Sequence, residues 1–487
     1  MAGIDNNFLA DPVLHFFAEI SKIPRCSGNE KAISDYMVSF ARARNLEVEQ
    51  DESLNILIKK PAFSGYEDAP TVIIQGHMDM VCDKNKSKEH NFETDPIELR
   101  VEGDMLYATD TTLGADNGIA VAYALALLDA DDIPHPPLRV LLTTEEETGL
   151  KGAAALDPVY LEGDMLINID CEEEGTLFSS CAGGIRVSHF IKAVWEDPKK
   201  DYIPYLIDIK GLKGGHSGAE IDKGRGNANK LMGRFLSAFS GEAEFQIGKI
   251  NGGSKMNTIP REAEVTVYIK PPDENKLKAE IEEWNTIFKK ELRTKDPDVN
   301  LNARKVTEKD AKVLSKETTE KIINLLVIMP DGVQTMSGDI EGLVESSTNL
   351  GVVTTSDSGV SFESATRSNI NSQKYNIVDQ LKTIARILNI DFDSNSDYPE
   401  WEYQPDSKLR EVFKKVYKDM YQKELKIAAI HAGLECGFFK EKNKNLDIVA
   451  LGPDQYDVHT PDEHVSIPSL KRTYEYLLNV LKHIKPS

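Results

Sequence analysis

The sequence predicts an α/β protein, a mixed central sheet with flanking helices that is interrupted by an inserted α/β domain. Three observations carry this. TVIIQG (71–76), LRVLLTT (138–144) and MLINI (165–169) are short apolar runs closed by turns or polar clusters, and read as buried strands. Helical periodicity separates them. Residue types suited to metal ligation end these strands, no further strand-end metal motif appears from about Gly183 to Tyr398, and ligand character returns only with His459.

The elements follow in chain order. Ser27 and Glu30 have the spacing of a capping box and precede Ile33, Met37, Phe40 and Ala41 at helical spacing, so a helix opens the first domain. TVIIQG delivers His77. Asp79, two residues on, lies on the same side of its strand and can clamp the second ring nitrogen of a ligating imidazole. Asp116 stands in the tight turn LGADNG, and Gly118 leads into IAVAYALALL, an apolar helix suited to packing under the sheet. LRVLLTT runs into Glu146 and Glu147, and MLINI into Asp170. Open α/β sheets place their chemistry at such carboxyl ends.

Character changes near Gly183 and Gly184. Within the stretch that follows, SKMNTIPREAEVTVYIK (with Asn257 and Lys270) lines up with SSTNLGVVTTSDSGVSFESATR (with Asn349 and Arg367). Each reads as a hairpin, with helical segments before it (227–239; 318–327) and after it (274–292; 373–388). A strand, helix, two strands and helix therefore occur twice, as an internally duplicated insert. The PEWEYQPDS linker ends it, and Pro468 to Ile484 reads as an amphipathic helix with Leu470, Leu477, Leu478 and Leu481 on one face. The expected domains are 1–186, an insert at 187–398 with halves near 187–295 and 296–398, and 399–487.

Composition narrows the function class. A net charge of -23, from 80 acids against 57 bases, argues against nucleic acid or an anionic membrane as partner. No apolar run is long enough to span a bilayer, and the first residues lack the basic start and cleavage site of a secretory signal, so a cytoplasmic location is expected. The five cysteines (Cys26, Cys82, Cys171, Cys181, Cys436) lack CxxC spacing. Neither a disulfide framework nor a thiolate zinc site is expected.

The chemistry of the strand ends is that of two metals. Two divalent ions about 3.5–4 Å apart need a bridging carboxylate, and Asp116 at its tight turn is the natural one. One ion then takes His77 and Asp170, the other Glu147 and His459. Mixed imidazole and carboxylate ligation favours zinc, while cobalt or manganese also fits. Glu146, beside a ligand but not needed as one, is the candidate general base. A lone HxD, an EEE run or an Asp after a strand is usually a solvated or turn-capping group. Their conjunction at four apolar segments is what a structural role does not require.

GHMDMV, LGADNGIA, TTEEETG, NIDCEEEG, KGGHSG, IHAGLECGFF and VHTPDEHVSI together resemble the two-zinc peptidase superfamily of aminoacylases, carboxypeptidases and dipeptidases. Within it the match is to the bacterial aminoacyl-histidine (Xaa-His) dipeptidase family, over nearly the whole chain. The resemblance implies the ligand set His77, Asp116, Glu147, Asp170 and His459, with Glu146 as base and Asp79 orienting His77. It implies a cis peptide after Asp116. It makes the insert a lid, with His216 of KGGHSG bonding the oxyanion and Arg367 holding the substrate carboxylate. Asn257 or Asn349 is a further substrate contact, and the two lid halves make either a monomer with an internal pseudo-dimer or a homodimer. A dipeptidase must also hold a free amine, for which Glu435 is the candidate. His431 reads equally as structural. The activity implied is metal-dependent hydrolysis of small dipeptides with a free N-terminus, Xaa-His and β-alanyl-histidine included. The alternatives are an N-acyl amino acid or ureido amidohydrolase with the same site, or a metal-binding regulatory protein without catalysis, against which the unligated Glu146 speaks.

Overall fold

The computed structural model describes Ile4, residues 6–307, Asp310 and residues 312–486. The chain divides into two compact units. One comprises Met1–Cys181, Tyr403–Ala429 and Leu434–Ser487; the other comprises Ala182–Glu402 and Ile430–Gly433.

The first unit is built on a mixed sheet. Its strand order is Glu47–Gln50, Ile56–Lys60, Leu138–Thr143, Val72–His77, Met165–Asn168, Asp447–Ala450, Thr176–Cys181 and Lys426–Ile430. Val72–His77 is central and parallel to both neighbours, with His77 opposite Thr143 and Gln75 opposite Leu141 and Asn168. Every residue of that strand is buried. A strand covered on both faces can be apolar throughout, which is why TVIIQG shows no alternation. The helix Ala115–Asp129 is likewise buried nearly all round, and Ile119 to Leu128 join one core with Phe17, Ile74, Val140 and Leu477. The closing helix Ile467–His483 buries Leu470, Leu477 and Leu481, and leaves Leu478 partly covered.

Two expectations about the start of the chain are corrected. The helix Lys31–Ala43 buries Ile33, Met37, Phe40 and Ala41 but has no side-chain cap. Instead Glu30 accepts from the backbone N–H of Gly28 (2.9 Å) and of Glu145 (3.0 Å), and Ser27 bonds Asp79. The cap residues are drawn to the strand-end loops, whose orphan amides need acceptors. Second, Cys26 and Cys82 form a disulfide, with Cα atoms 5.7 Å apart. Fifty-six residues separate them, but the β-bridge between Cys26 and Met80 sets the two segments side by side. Cys171, Cys181 and Cys436 are free and buried.

The second unit carries an antiparallel sheet. In order, its strands are Asn300–Lys305, Ile203–Lys210, Ala263–Ile269, Phe245–Gly252, Val344–Ser356, Gly359–Ser368, Gly183–Lys192 and Asp391–Tyr398, with Gly332–Met336 added to Val344–Ser356. The order is symmetric about the seam where Gly252 meets Val353. On one side strand, helix (Ala228–Glu242), two strands and helix (Glu274–Glu291) run without a break. On the other, Gly183–Lys192 supplies the first strand and the rest follows only from Lys316, through the helices Lys316–Ile328 and Asn371–Leu388. A division into halves at 295/296 therefore gives way to one half inserted within the other, since Gly183–Lys192 pairs with Gly359–Ser368. Gly233 permits the two middle helices to touch: a Cβ there would lie 2.5 Å from that of Leu326.

Candidate functional site

The central strand ends at His77, which is 1 % exposed. Its Nε2 lies 3.1 Å from Asp116 Oδ1 and 3.4 Å from Asp170 Oδ1, while Nδ1 faces Asp79. Nε2 is thus the ring atom turned to the carboxylates. Asp116 also reaches a second histidine: its Oδ2 is 3.2 Å from His459 Nε2, which lies 2.9 Å from Glu147 Oε1. One oxygen of Asp116 addresses each imidazole, as a bridging carboxylate must. His77 with Asp116 and Asp170, and Asp116 with Glu147 and His459, each gather ligand atoms within 4.8 Å of one another. A third such group, His77 with Glu146 and Glu147, brings Glu146 into the same space.

Four carboxylates around two imidazoles form a donor set suited to divalent cations, with hard oxygens and borderline nitrogens. The electrostatics say the same. Hydrogen bonds to Asp116 and Glu147 push the His459 pKa up to about 11. Burial opposes charge on His77, yet Asp170, Asp116 and Asp79 hold its pKa well above the ordinary value. Burial also works against ionised Asp116, but the bonds to His459 and His77 outweigh it and keep the carboxyl ionised. Burial pushes Asp170 up to about 6. The Glu146 carboxyl is raised well above its usual range by burial, with His77 opposing and Asp170, Glu435 and Glu147 adding to the rise.

Asp79 does more than orient His77. Its Oδ1 accepts from the backbone N–H of Glu146 (3.1 Å) and lies 3.3 Å from His77 Nδ1; its Oδ2 accepts from the backbone N–H of Glu147 (3.2 Å) and from Ser27 Oγ (2.7 Å). One buried carboxylate therefore ties a histidine strand end to the turn carrying two glutamates. The turn of Asp116 is fixed equally firmly. Asn117 donates to Ile169 O and accepts from His77 N–H, and the Asp116–Asn117 peptide is cis.

Glu435 falls elsewhere than at a solvent-facing amine site. It is fully buried, and its Oε2 accepts from Gln75 Nε2 (2.6 Å) and Thr143 Oγ1 (2.7 Å). Burial pushes its pKa up to about 7. The apolar strands that sequence reading found also carry Gln75, Thr143 and Asn168, and these polar side chains need a partner beneath the sheet.

In the second unit, Arg367 and Asn257 line one groove of about 390 Å³ together with Arg186, Lys255 and Tyr398. Arg367 Nη1 donates to Tyr398 Oη at 2.8 Å. Asn349 does not join them: it is buried and spends its amide on Met256 O and Thr258 O. His216 Nδ1 accepts from the backbone N–H groups of Gly218 (3.3 Å) and Ala219 (3.1 Å), which places the ring proton on Nε2. His431 is buried against Ser347 and Asn369.

Comparison with known proteins decides the family. Residues 73–483 match the description of peptidase family M20/M25/M40. The chain belongs to that family. The cytosol non-specific dipeptidase of Escherichia coli K12 is 38% identical over 97% of this chain and 97% of its own length. The crystal structure of an aminoacylhistidine dipeptidase from Vibrio alginolyticus matches with a TM-score of 0.93 at 38% identity, over 98% of this chain and 97% of that one. An aminopeptidase from Bacillus cereus shares the fold at a TM-score of 0.56 and 15% identity, over 97% and 98% of the two chains. The chain is thus an M20 hydrolase, a metallopeptidase, and no helix among its described residues is long and apolar enough to cross a membrane.

Proposed function

We propose that this M20 peptidase is a cytoplasmic metal-dependent dipeptidase, acting on dipeptides with a free N-terminus, Xaa-His and β-alanyl-histidine among them. The observation that carries this reading is Asp116, with one oxygen at each of two histidines that have carboxylates of their own. His77, Asp116 and Asp170 would hold one divalent ion, and Asp116, Glu147 and His459 a second, with zinc the best fit to the donors. When bound, the pair supplies polarisation of the scissile carbonyl and acidifies a water.

The rest falls to side chains. Glu146, made more basic by burial, takes a proton from the attacking water and gives it to the leaving amine. Asp79 holds His77 and the turn of Glu146 and Glu147 in place. His216, with its proton on Nε2, bonds the developing oxyanion. Arg367, steadied by Tyr398, takes the substrate carboxylate, and Asn257 lines the same groove. The second unit supplies these groups, from the same chain in a monomer or from a second copy in a homodimer; sedimentation of active enzyme distinguishes the two.

The test is hydrolysis by chelator-stripped enzyme, with and without zinc, cobalt or manganese, of alanyl-histidine, β-alanyl-histidine, alanyl-alanine, N-acetyl-alanyl-histidine and alanyl-histidyl-alanine. Metal-dependent cleavage confined to free dipeptides supports the reading. Cleavage of the acetylated compound moves it to an N-acyl amino acid amidohydrolase, and silence on all five overturns it.

A further inference from the structure

Four consecutive backbone N–H groups converge on one buried side chain beside the candidate metal centre. Glu463, 2 % exposed, accepts from Leu113 N (2.7 Å) and Gly114 N (2.9 Å) at Oε2, and from Ala115 N (2.8 Å) and Asp116 N (3.3 Å) at Oε1. The same turn is held from another direction by Arg25, whose guanidinium donates to Gly114 O and to Met78 O. Nothing in the chemistry assigned to the site uses Glu463.

Its place in the chain gives it a purpose. Glu463 closes the loop that carries His459, and that loop is bonded internally: Thr460 Oγ1 donates to Asp457 O (2.7 Å), Glu463 N to Thr460 O (3.1 Å) and Asp462 N to Thr460 Oγ1 (3.2 Å). His459 and Asp116 lie 343 residues apart in sequence. Besides the contact of His459 Nε2 with Asp116 and Glu147, the four-amide clasp joins this loop to the Asp116 turn, and directly after Glu463 the strand His464–Ser466 pairs with Met105–Ala108.

We propose that Glu463 is a positioning residue that registers the His459 loop against the Asp116 turn, so that the two ligand groups sharing Asp116 keep a fixed separation. The inference rests on the two-metal reading above. It requires a carboxylate: all four partners are donors, and a carboxamide would turn its own N–H groups against two of them. Loss of the clasp frees His459 and Glu147 as a ligand pair more than it frees His77 and Asp170, which are fixed on strand ends.

The experiment is a cobalt(II) titration of chelator-stripped protein, followed by visible absorption and calorimetry, for the parent, Glu463→Gln and the neighbouring control Asp462→Asn. Circular dichroism and melting check the fold. The parent and D462N are expected to take two equivalents. E463Q should take the first with affinity within about threefold of the parent and the second about 10–100-fold more weakly, the range lost with outer partners of metal ligands. If E463Q does not fold, Glu463→Asp, which keeps both acceptor oxygens but is one methylene shorter, is titrated with the same expectation. Two equivalents bound as in the parent overturn the inference, as does equal weakening of both with a matching fall in melting temperature, which marks a general packing role. A parent that takes fewer than two ions sinks the two-metal reading itself, whereas normal binding by E463Q sinks the clasp alone.

Discussion

Asp79 and Glu463 face the same demand. Each is a buried carboxylate whose two oxygens meet four donor groups, and each ties together segments remote in sequence. Asp79→Asn leaves the shape unchanged but sets an NH2 against donors, so metal affinity or turnover should fall about 10–100-fold, read by metal titration and steady-state kinetics. Glu146→Gln is the contrasting case. It should keep both ions while turnover drops about 100 to 10,000-fold, and normal turnover in E146Q removes Glu146 from the mechanism. A third residue answers to pH. Burial, with the Arg367 and His216 charges adding, pushes His431 down to about 3 from 6.5, while Val344 O works the other way. Its folded-state pKa is below the unfolded one, so its contribution to stability is complete above about pH 6.5 and is lost as pH falls toward 3. Denaturant melts across that window should fall less steeply for His431→Gln than for the parent; equal slopes would exclude His431 as a source of acid sensitivity.

At the scale of elements, strands and helices were legible where one local rule governs. Val72–His77 is apolar because both faces are covered, and Ile33, Met37, Phe40 and Ala41 keep helical period because one face is. Candidate ligand positions were legible for a related reason: His77 and Asp170 follow directly on apolar runs that have no structural use for them. Pairings across the fold leave no such local mark. Ser27 and Glu30 match a capping box perfectly well in sequence, yet serve Asp79 and the Glu145 turn. Cys26 and Cys82 lack any spacing signal because a bridge elsewhere brings them together. Glu463 lies in VHTPDEHVSI with no local mark of its role, since the amides it meets are 347 to 350 residues away. The insertion of one sheet half within the other was hidden too, since strand order follows pairing. The contact of the two middle helices offers a test. Gly233→Val overfills the place where Leu326 sits, and should cost about 1–3 kcal/mol in unfolding experiments.

For the whole molecule, the candidate ligands come from the first 170 residues and from the loop around His459, all within the first unit. Ions that bind only the folded arrangement stabilise it by mass action, about 2.7 kcal/mol at a hundredfold excess over Kd for one site. Chelation should therefore lower the melting temperature and added zinc restore it; an unchanged melt in saturating zinc would mean that no ion binds the folded state preferentially.

His459 itself sits at φ +64°, in the left-handed region that only glycine enters freely. A loop selected for ease of folding would place glycine there. The chain keeps an imidazole instead and, on the proposed reading, gives up conformational comfort there for chemistry. Comparing His459→Gly with His459→Ala isolates that sacrifice, since both lack the ring and differ in backbone freedom. The glycine variant should be the more stable of two inactive proteins by about 1 kcal/mol, so a screen for thermal stability alone would select against this enzyme's activity.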